Sequence, residues 1–162
     1  MKPYVVVAGS GPSLDDYDGE VTIVTKKRPV PAPYIAASSP NYFYRWRDTF
    51  YKDAPSKAMI FRRSPIKYAG KEVAGMWFSE FEKGWQQKYY AQFKPKFPKP
   101  SIGTMAVFMA LERWAPERIG LIGMDWVLDG NDDWFHDARA EREAITALPV
   151  EIIDLRDGSI VT

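Results

Sequence analysis

A single histidine, His136, stands between Asp133 and Asp137 in a chain of 162 residues that contains no cysteine. An imidazole titrates near neutral pH, so this position suits a general base, and either flanking carboxylate could orient the ring or raise its pKa. The same residues also describe an exposed loop histidine at the start of a helix. Near the N-terminus, Gly9, Ser10, Gly11, Pro12 and Ser13 follow directly on the apolar run Tyr4 to Ala8. Glycines let the backbone bend tightly and approach a ligand, and a helix starting there directs unpaired N–H groups and its positive dipole end at an anion. Pro12 loses no hydrogen bond at the first helical position, and Ser10 and Ser13 add hydroxyls. A ligand-free tight turn fits the same residues. Further on, Ser101, Ile102, Gly103 and Thr104 open a small, apolar helix; Ser101 or Thr104 can cap it or bond a ligand oxygen. Asp125 follows the strand-like Ile119 to Ile122 and suits a sugar hydroxyl, a base or a loop brace.

Alternating strand and helix signals must position these residues. Apolar periodicity predicts strands near 3–8, 20–25, 33–37, 57–62, 118–123 and 150–154, and helices near 41–50, 79–92, 103–115 and 137–147. Such alternation predicts a single α/β, Rossmann-like domain over 1–162, a mostly parallel sheet with helices on both faces. Ligands of such sheets bind beyond the carboxyl ends of the strands, which directs attention to the loops starting at Gly9, Ala37 and Gly123. The Pro- and Lys-rich segment 94–100 reads as an extended connector into the helix at Gly103.

Several function classes are disfavoured. The Gly-rich turn has Leu14 at the third glycine position of the dinucleotide fingerprint, and Thr25 to Arg28 stand where an acidic residue for a ribose is expected, which argues against an NAD site. Without cysteine there are no disulfides or thiolate-based zinc sites, and with no secretion signature or membrane-length apolar run the expectation is a cytoplasmic chain. Net charge is +1, yet residues 1–100 carry 17 Lys/Arg against 9 Asp/Glu and residues 101–162 carry 5 against 12. The basic half places cations beside the Gly-rich turn but matches no nucleic-acid motif, so no nucleic-acid partner is expected. The acidic loop Asp129 to Asp133 lacks the terminal glutamate of a calcium loop, Ala140 standing there, and no metal is assigned. Trp126 and Trp134 flank the site loop and could stack on a ligand ring, although core packing accounts for most aromatic residues.

The order of these motifs, VVVAGSGPSL, then Ser39 and Pro40, then SIGTMAVFMAL, IGLIGMDW and a later histidine, resembles the bacterial sialyltransferases of glycosyltransferase family 42 and relatives that include the 6-hydroxymethylpterin pyrophosphokinase-like domain family. It covers roughly a third of the chain, and the combination rather than any one motif carries it. The resemblance implies a metal-independent transferase without a resident cofactor that takes a CMP-sugar donor, of sialic-acid type, and passes the sugar to a hydroxyl of a glycan acceptor. In that reading Gly9, Ser10, Gly11, Ser39, Ser101 and Gly103 bind the donor, Asp125 supports it and His136 is the general base. It also implies a short, phage-encoded form and is compatible with a homo-oligomer. This chain departs from the pattern at Val127, where the family has a phosphate-binding Tyr, and in the roughly ten residues between Asp125 and His136, too few for the family's lid. Tyr89, Tyr90 or cations of the 62–99 region could replace the lost phosphate contacts. The alternatives are a non-catalytic nucleotide-binding module and a magnesium-dependent pterin pyrophosphokinase-like enzyme.

Overall fold

The computed structural model describes residues 4–25, 31–50, 57–62, 66–80, 89–132 and 135–162. Its nine strands are β1 (Tyr4–Ala8), β2 (Ile23–Val24), β3 (Tyr34–Ala37), β4 (Lys57–Ile60), β5 (Glu72–Val73), β6 (Met76–Phe78), β7 (Arg118–Ile122), β8 (Glu151–Asp154) and β9 (Ser159–Ile160). They form one sheet in the order β5-β6-β4-β3-β2-β1-β7-β8-β9. Only the edge pairs β5/β6 and β8/β9 are antiparallel, so the sheet is mostly parallel, as the alternation predicted.

The strands are near-continuous apolar runs because both faces are covered. Val5 and Val7 of β1 point to one face, with Met59, Phe108, Met109 and Ile145. Val6 and Ala8 point to the other, with Ile35, Ile60, Phe43 and Trp46. Helix α1 (Pro40–Phe50) closes the second face, while α2 (Ile102–Trp114) and α4 (Ala138–Thr146) close the first; α3 (Asp125–Leu128) is a single turn after β7. Seven consecutive residues of α2, Thr104 to Ala110, are buried. A helix this apolar is held by burial on all sides rather than by an amphipathic stripe. It starts at the Ser101 cap and ends where Ala115 turns into the left-handed region before Pro116.

The chain runs outward from β1 to β6, and α2 then carries it back across the sheet to β7 on the far side of β1. That reversal makes β1/β7 the topological switch point, flanked by Gly9 on one side and Gly123 on the other. Three short strands, β5, β6 and β9, carry too little apolar periodicity to register in the sequence. Of the helix expected near 79–92, residues 81–88 lie outside the described residues; Ser79 and Glu80 continue from β6 without helix, and 89–91 are helical. Among the described residues, no helix is long and apolar enough to cross a membrane.

Candidate functional site

At the switch point the two loops are bonded to each other. The amide of Gly9 donates to the Ile122 carbonyl at 2.8 Å and that of Gly11 to the Gly123 carbonyl at 2.6 Å. Gly123 has φ 66°, the left-handed conformation that glycine adopts without strain, and its amide donates to Ser13 Oγ at 2.9 Å. Ser13 Oγ in turn donates to Asp125 Oδ2 at 2.9 Å. The element after the turn is not an α-helix but a 3-10 segment of five residues, Pro12–Asp16. The amides of Gly9 and Gly11, expected to face an anion, therefore serve the junction between β1 and β7. Ser10 is exposed at the tip of the turn.

Asp125 acts as the loop brace among its three expected roles. Besides Ser13, its Oδ1 lies 3.7 Å from Arg156, whose guanidinium also contacts Asp129 at 2.7 Å and Asp154 at 2.8 Å. Hydrogen bonds to Asp154, and after it Asp129, hold the Arg156 guanidinium well above the usual arginine range. Asp132 takes Lys96 Nζ at 2.7 Å and the Ala138 amide at 2.8 Å. Asp129 and Asp132 of the acidic loop are thus spent on structure, and among the described residues no cluster of three His, Asp or Glu gathers to hold a metal. Asp133 and Trp134 lie outside the described residues.

A cleft of about 460 Å³ opens instead past the carboxyl ends of β3 and β4, at the start of α2. It is lined by Ser38, Tyr42, Trp46, Phe61 and Arg62, by Phe97, Pro98, Lys99 and Pro100 of the connector, and by Ile102, Phe135 and His136. The strand ends and the α2 N-terminus are where a parallel sheet presents its loops, so the position follows from the topology. Ser38, not Ser39, lines it. Ser39 sits at the head of α1, its Oγ accepting the Tyr42 amide at 3.4 Å.

His136 was read from sequence as the base, and the structure places it on the wall of this cleft. Its Nδ1 lies 3.9 Å from Oε2 of Glu141, and its ring stands 5.4 Å from that of Trp126 at a 32° tilt. Of the two carboxylates expected to orient the ring, Asp133 lies outside the described residues and Asp137 serves the start of α4. Asp137 caps α4 by accepting the Ala140 amide at 3.0 Å and also takes the Lys96 amide at 2.9 Å. Glu141, one turn into α4, is wholly buried and faces the ring instead. Its other oxygen accepts the Ser101 amide at 2.7 Å. Ser101 Oγ caps α2 on the Thr104 amide at 3.2 Å, so its hydroxyl serves the helix. Gly103 packs beside Met124, the neighbour of Asp125, where an added Cβ would stand 3.1 Å from Met124 Cε.

The candidate residues thus divide into two places. Gly9, Gly11, Gly103 and Asp125 gather at the switch point; His136, with Ser38 and Ile102, gathers at the cleft. Val127 is a core residue, 1% exposed. Tyr90 is wholly buried, its hydroxyl directed at the Asp137 carbonyl at 3.5 Å, and burial with the carboxylates of Glu141 and Asp137 pushes that hydroxyl far above the usual tyrosine range. Tyr89 packs edge-on against Phe108 at 5.0 Å. Neither tyrosine lines the cleft, so neither replaces the missing phosphate contacts there. Glu141 had one sequence signal: with Ala138, Ala144 and Ile145 it falls on the inner stripe of an amphipathic helix, where an acid is out of place.

No known protein family matches this chain, and no curated protein and no solved structure matches it.

Proposed function

We propose that the cleft binds a CMP-linked sugar and that His136 acts as the general base which takes the proton from an acceptor hydroxyl as it attacks the anomeric carbon. The observation carrying this reading is the His136–Glu141 pair on the wall of an aromatic cleft at the carboxyl ends of the strands. The buried Glu141 carboxylate, 3.9 Å from Nδ1, stabilises by its charge the imidazolium that forms as the ring takes up the proton. The resemblance to family 42 transferases, whose base is a histidine at the corresponding place in the motif order, supports the same assignment. Trp126 against the imidazole limits the ring's rotation and shields it from water.

The test is transfer and donor hydrolysis with a panel of CMP-sugars by wild type and His136→Ala. Loss of a base costs about 100-fold or more in rate. Turnover that falls to that extent while CMP affinity holds supports the proposal; wild type without turnover of any CMP-sugar overturns it. One observation favours a second reading, a nucleotide-binding module without catalysis: the Gly9–Ser13 turn is bonded shut against Gly123 and Asp125, which removes the amides that a donor diester would use.

A further inference from the structure

Arg62 and Lys99 face the same cleft with a different task. In a chain with 22 Lys/Arg and 21 Asp/Glu, none of the described residues lining the cleft is acidic. Other cations of the chain are taken up by carboxylates: Lys96 by Asp132, Arg113 by Glu72, Arg139 by Glu143. Among the described residues, neither Arg62 nor Lys99 has such a partner. Arg62 is half-buried, its guanidinium 5.3 Å from the Phe61 ring centre, and desolvation pulls it below the usual arginine range without discharging it at neutral pH. A desolvated guanidinium lacking a counter-charge is unfavourable until an anion arrives. Lys99, exposed and set between Pro98 and Pro100 where the connector bends, lines the same cleft. Ile102, the first residue of α2, also lines it, so the helix start adds positive potential there.

We infer that Arg62 and Lys99 form an anion subsite that grips the phosphate of a ligand whose ring lies against the aromatic side chains of the cleft. A phosphate monoester carries close to two charges near neutral pH and suits two cations lining one cleft, one a planar fork and one a point charge. The ring is called for by Tyr42 and Phe135, which are 44% and 72% exposed at the mouth and offer area for stacking. The ligand class is a phosphate monoester that carries an aromatic ring, of which a nucleoside monophosphate is a biological form. This deepens the proposal above, resting on the same cleft, but it needs no catalysis.

The experiment is calorimetric titration of the full chain with CMP, cytidine, phenyl phosphate, benzoate and inorganic phosphate, for wild type, Arg62→Gln, Lys99→Gln and His136→Ala, with folding checked by circular dichroism. CMP and phenyl phosphate bind wild type about ten-fold or more tightly than cytidine and benzoate, and inorganic phosphate binds more weakly than either ester. Arg62→Gln loses about ten-fold for both esters, whereas Lys99→Gln loses less and flattens the salt dependence. Lys99 is exposed, so its variant remains informative if Arg62→Gln fails to fold. Cytidine binding as tightly as CMP, or esters binding both cation variants as they bind wild type, overturns the subsite. Benzoate matching phenyl phosphate overturns the choice of phosphate. Arg62-dependent CMP binding without turnover of CMP-sugars upholds the subsite and overturns the transferase; turnover lost in His136→Ala but unchanged in both cation variants does the reverse.

Discussion

His136 Nδ1 lies 3.9 Å from Glu141 Oε2, and the second oxygen of that carboxylate accepts the Ser101 amide at 2.7 Å. One buried side chain therefore ties the candidate base to the first residue of the α2 cap, so the position of the ring and the start of the central helix are not independent.

Glu141→Ala is expected to destabilise the protein by about 1–3 kcal/mol, because it leaves the buried Ser101 amide without its acceptor. Glu141→Gln keeps a carbonyl oxygen for Ser101 and costs less, yet removes the charge facing His136. In urea unfolding, a double-mutant cycle with His136→Ala should give a coupling above about 0.5 kcal/mol. Strict additivity would show that the two side chains do not interact.

The switch point predicts an unequal response to adding one methyl group. At Gly11 a Cβ would fall inside contact distance of Asp125 Oδ2 and 2.7 Å from the Gly123 carbonyl oxygen, which is backbone and cannot swing away. Gly11→Ala should cost roughly 1–3 kcal/mol, the range typical of overpacking, and Asp125→Ala should not rescue it. At Gly103 the new atom meets only the mobile end of Met124, 3.1 Å away, so Gly103→Ala should be neutral or stabilising through its helix propensity. Thermal unfolding of the three variants checks the order.

Arg156→Ala removes the cation shared by Asp154, Asp129 and Asp125. Asp154 is 6% exposed and keeps only the backbone amide of residue 156 as a donor, so a loss of about 2 kcal/mol is expected, below the 3–5 kcal/mol of a fully buried pair because water reaches Arg156. An Asp154→Asn, Arg156→Ala double variant should recover part of that loss in urea unfolding.

Glu112 gives the fold a pH dependence. Burial pushes its carboxyl from the ordinary 4.5 up to about 7, outweighing the bonds it accepts from the Ser79 hydroxyl and the Glu80 amide, which favour the ionised form. Between those two values the folded chain holds a proton that the unfolded chain has lost, so stability falls as pH rises through that window and levels off above about 7. Glu112→Gln stays neutral throughout. Its stability relative to wild type should rise from pH 5 to pH 8, and parallel profiles in urea would remove the assignment.

The candidate site was legible only in part. His136 was identifiable because it is the one histidine, and the start of α2 because Ser101 precedes an apolar helix. The approach of Glu141 to His136 was not, since Glu141 meets the ring only after α4 winds one turn inward. Ser39 and Ser38 are neighbours, and only the turn from β3 into α1 decides that the first caps the helix and the second lines the cleft.

By itself the sequence determined the class of fold: alternating apolar periods of two and 3.6, with Gly and Pro between them, leave a mostly parallel sheet covered by helices as the arrangement that buries every apolar face. It also located the long strands and the central helix, because local periodicity and capping are written in consecutive residues. Tertiary structure alone decided what the Gly-rich turn does. Whether the amides of Gly9 and Gly11 meet a ligand or the carbonyls of Ile122 and Gly123 depends on which strand lies beside β1, and that strand comes from more than 100 residues away. The same long-range packing gathered Arg62, Lys99 and His136 around one cleft, since charge along a chain carries no record of which loops the sheet brings together.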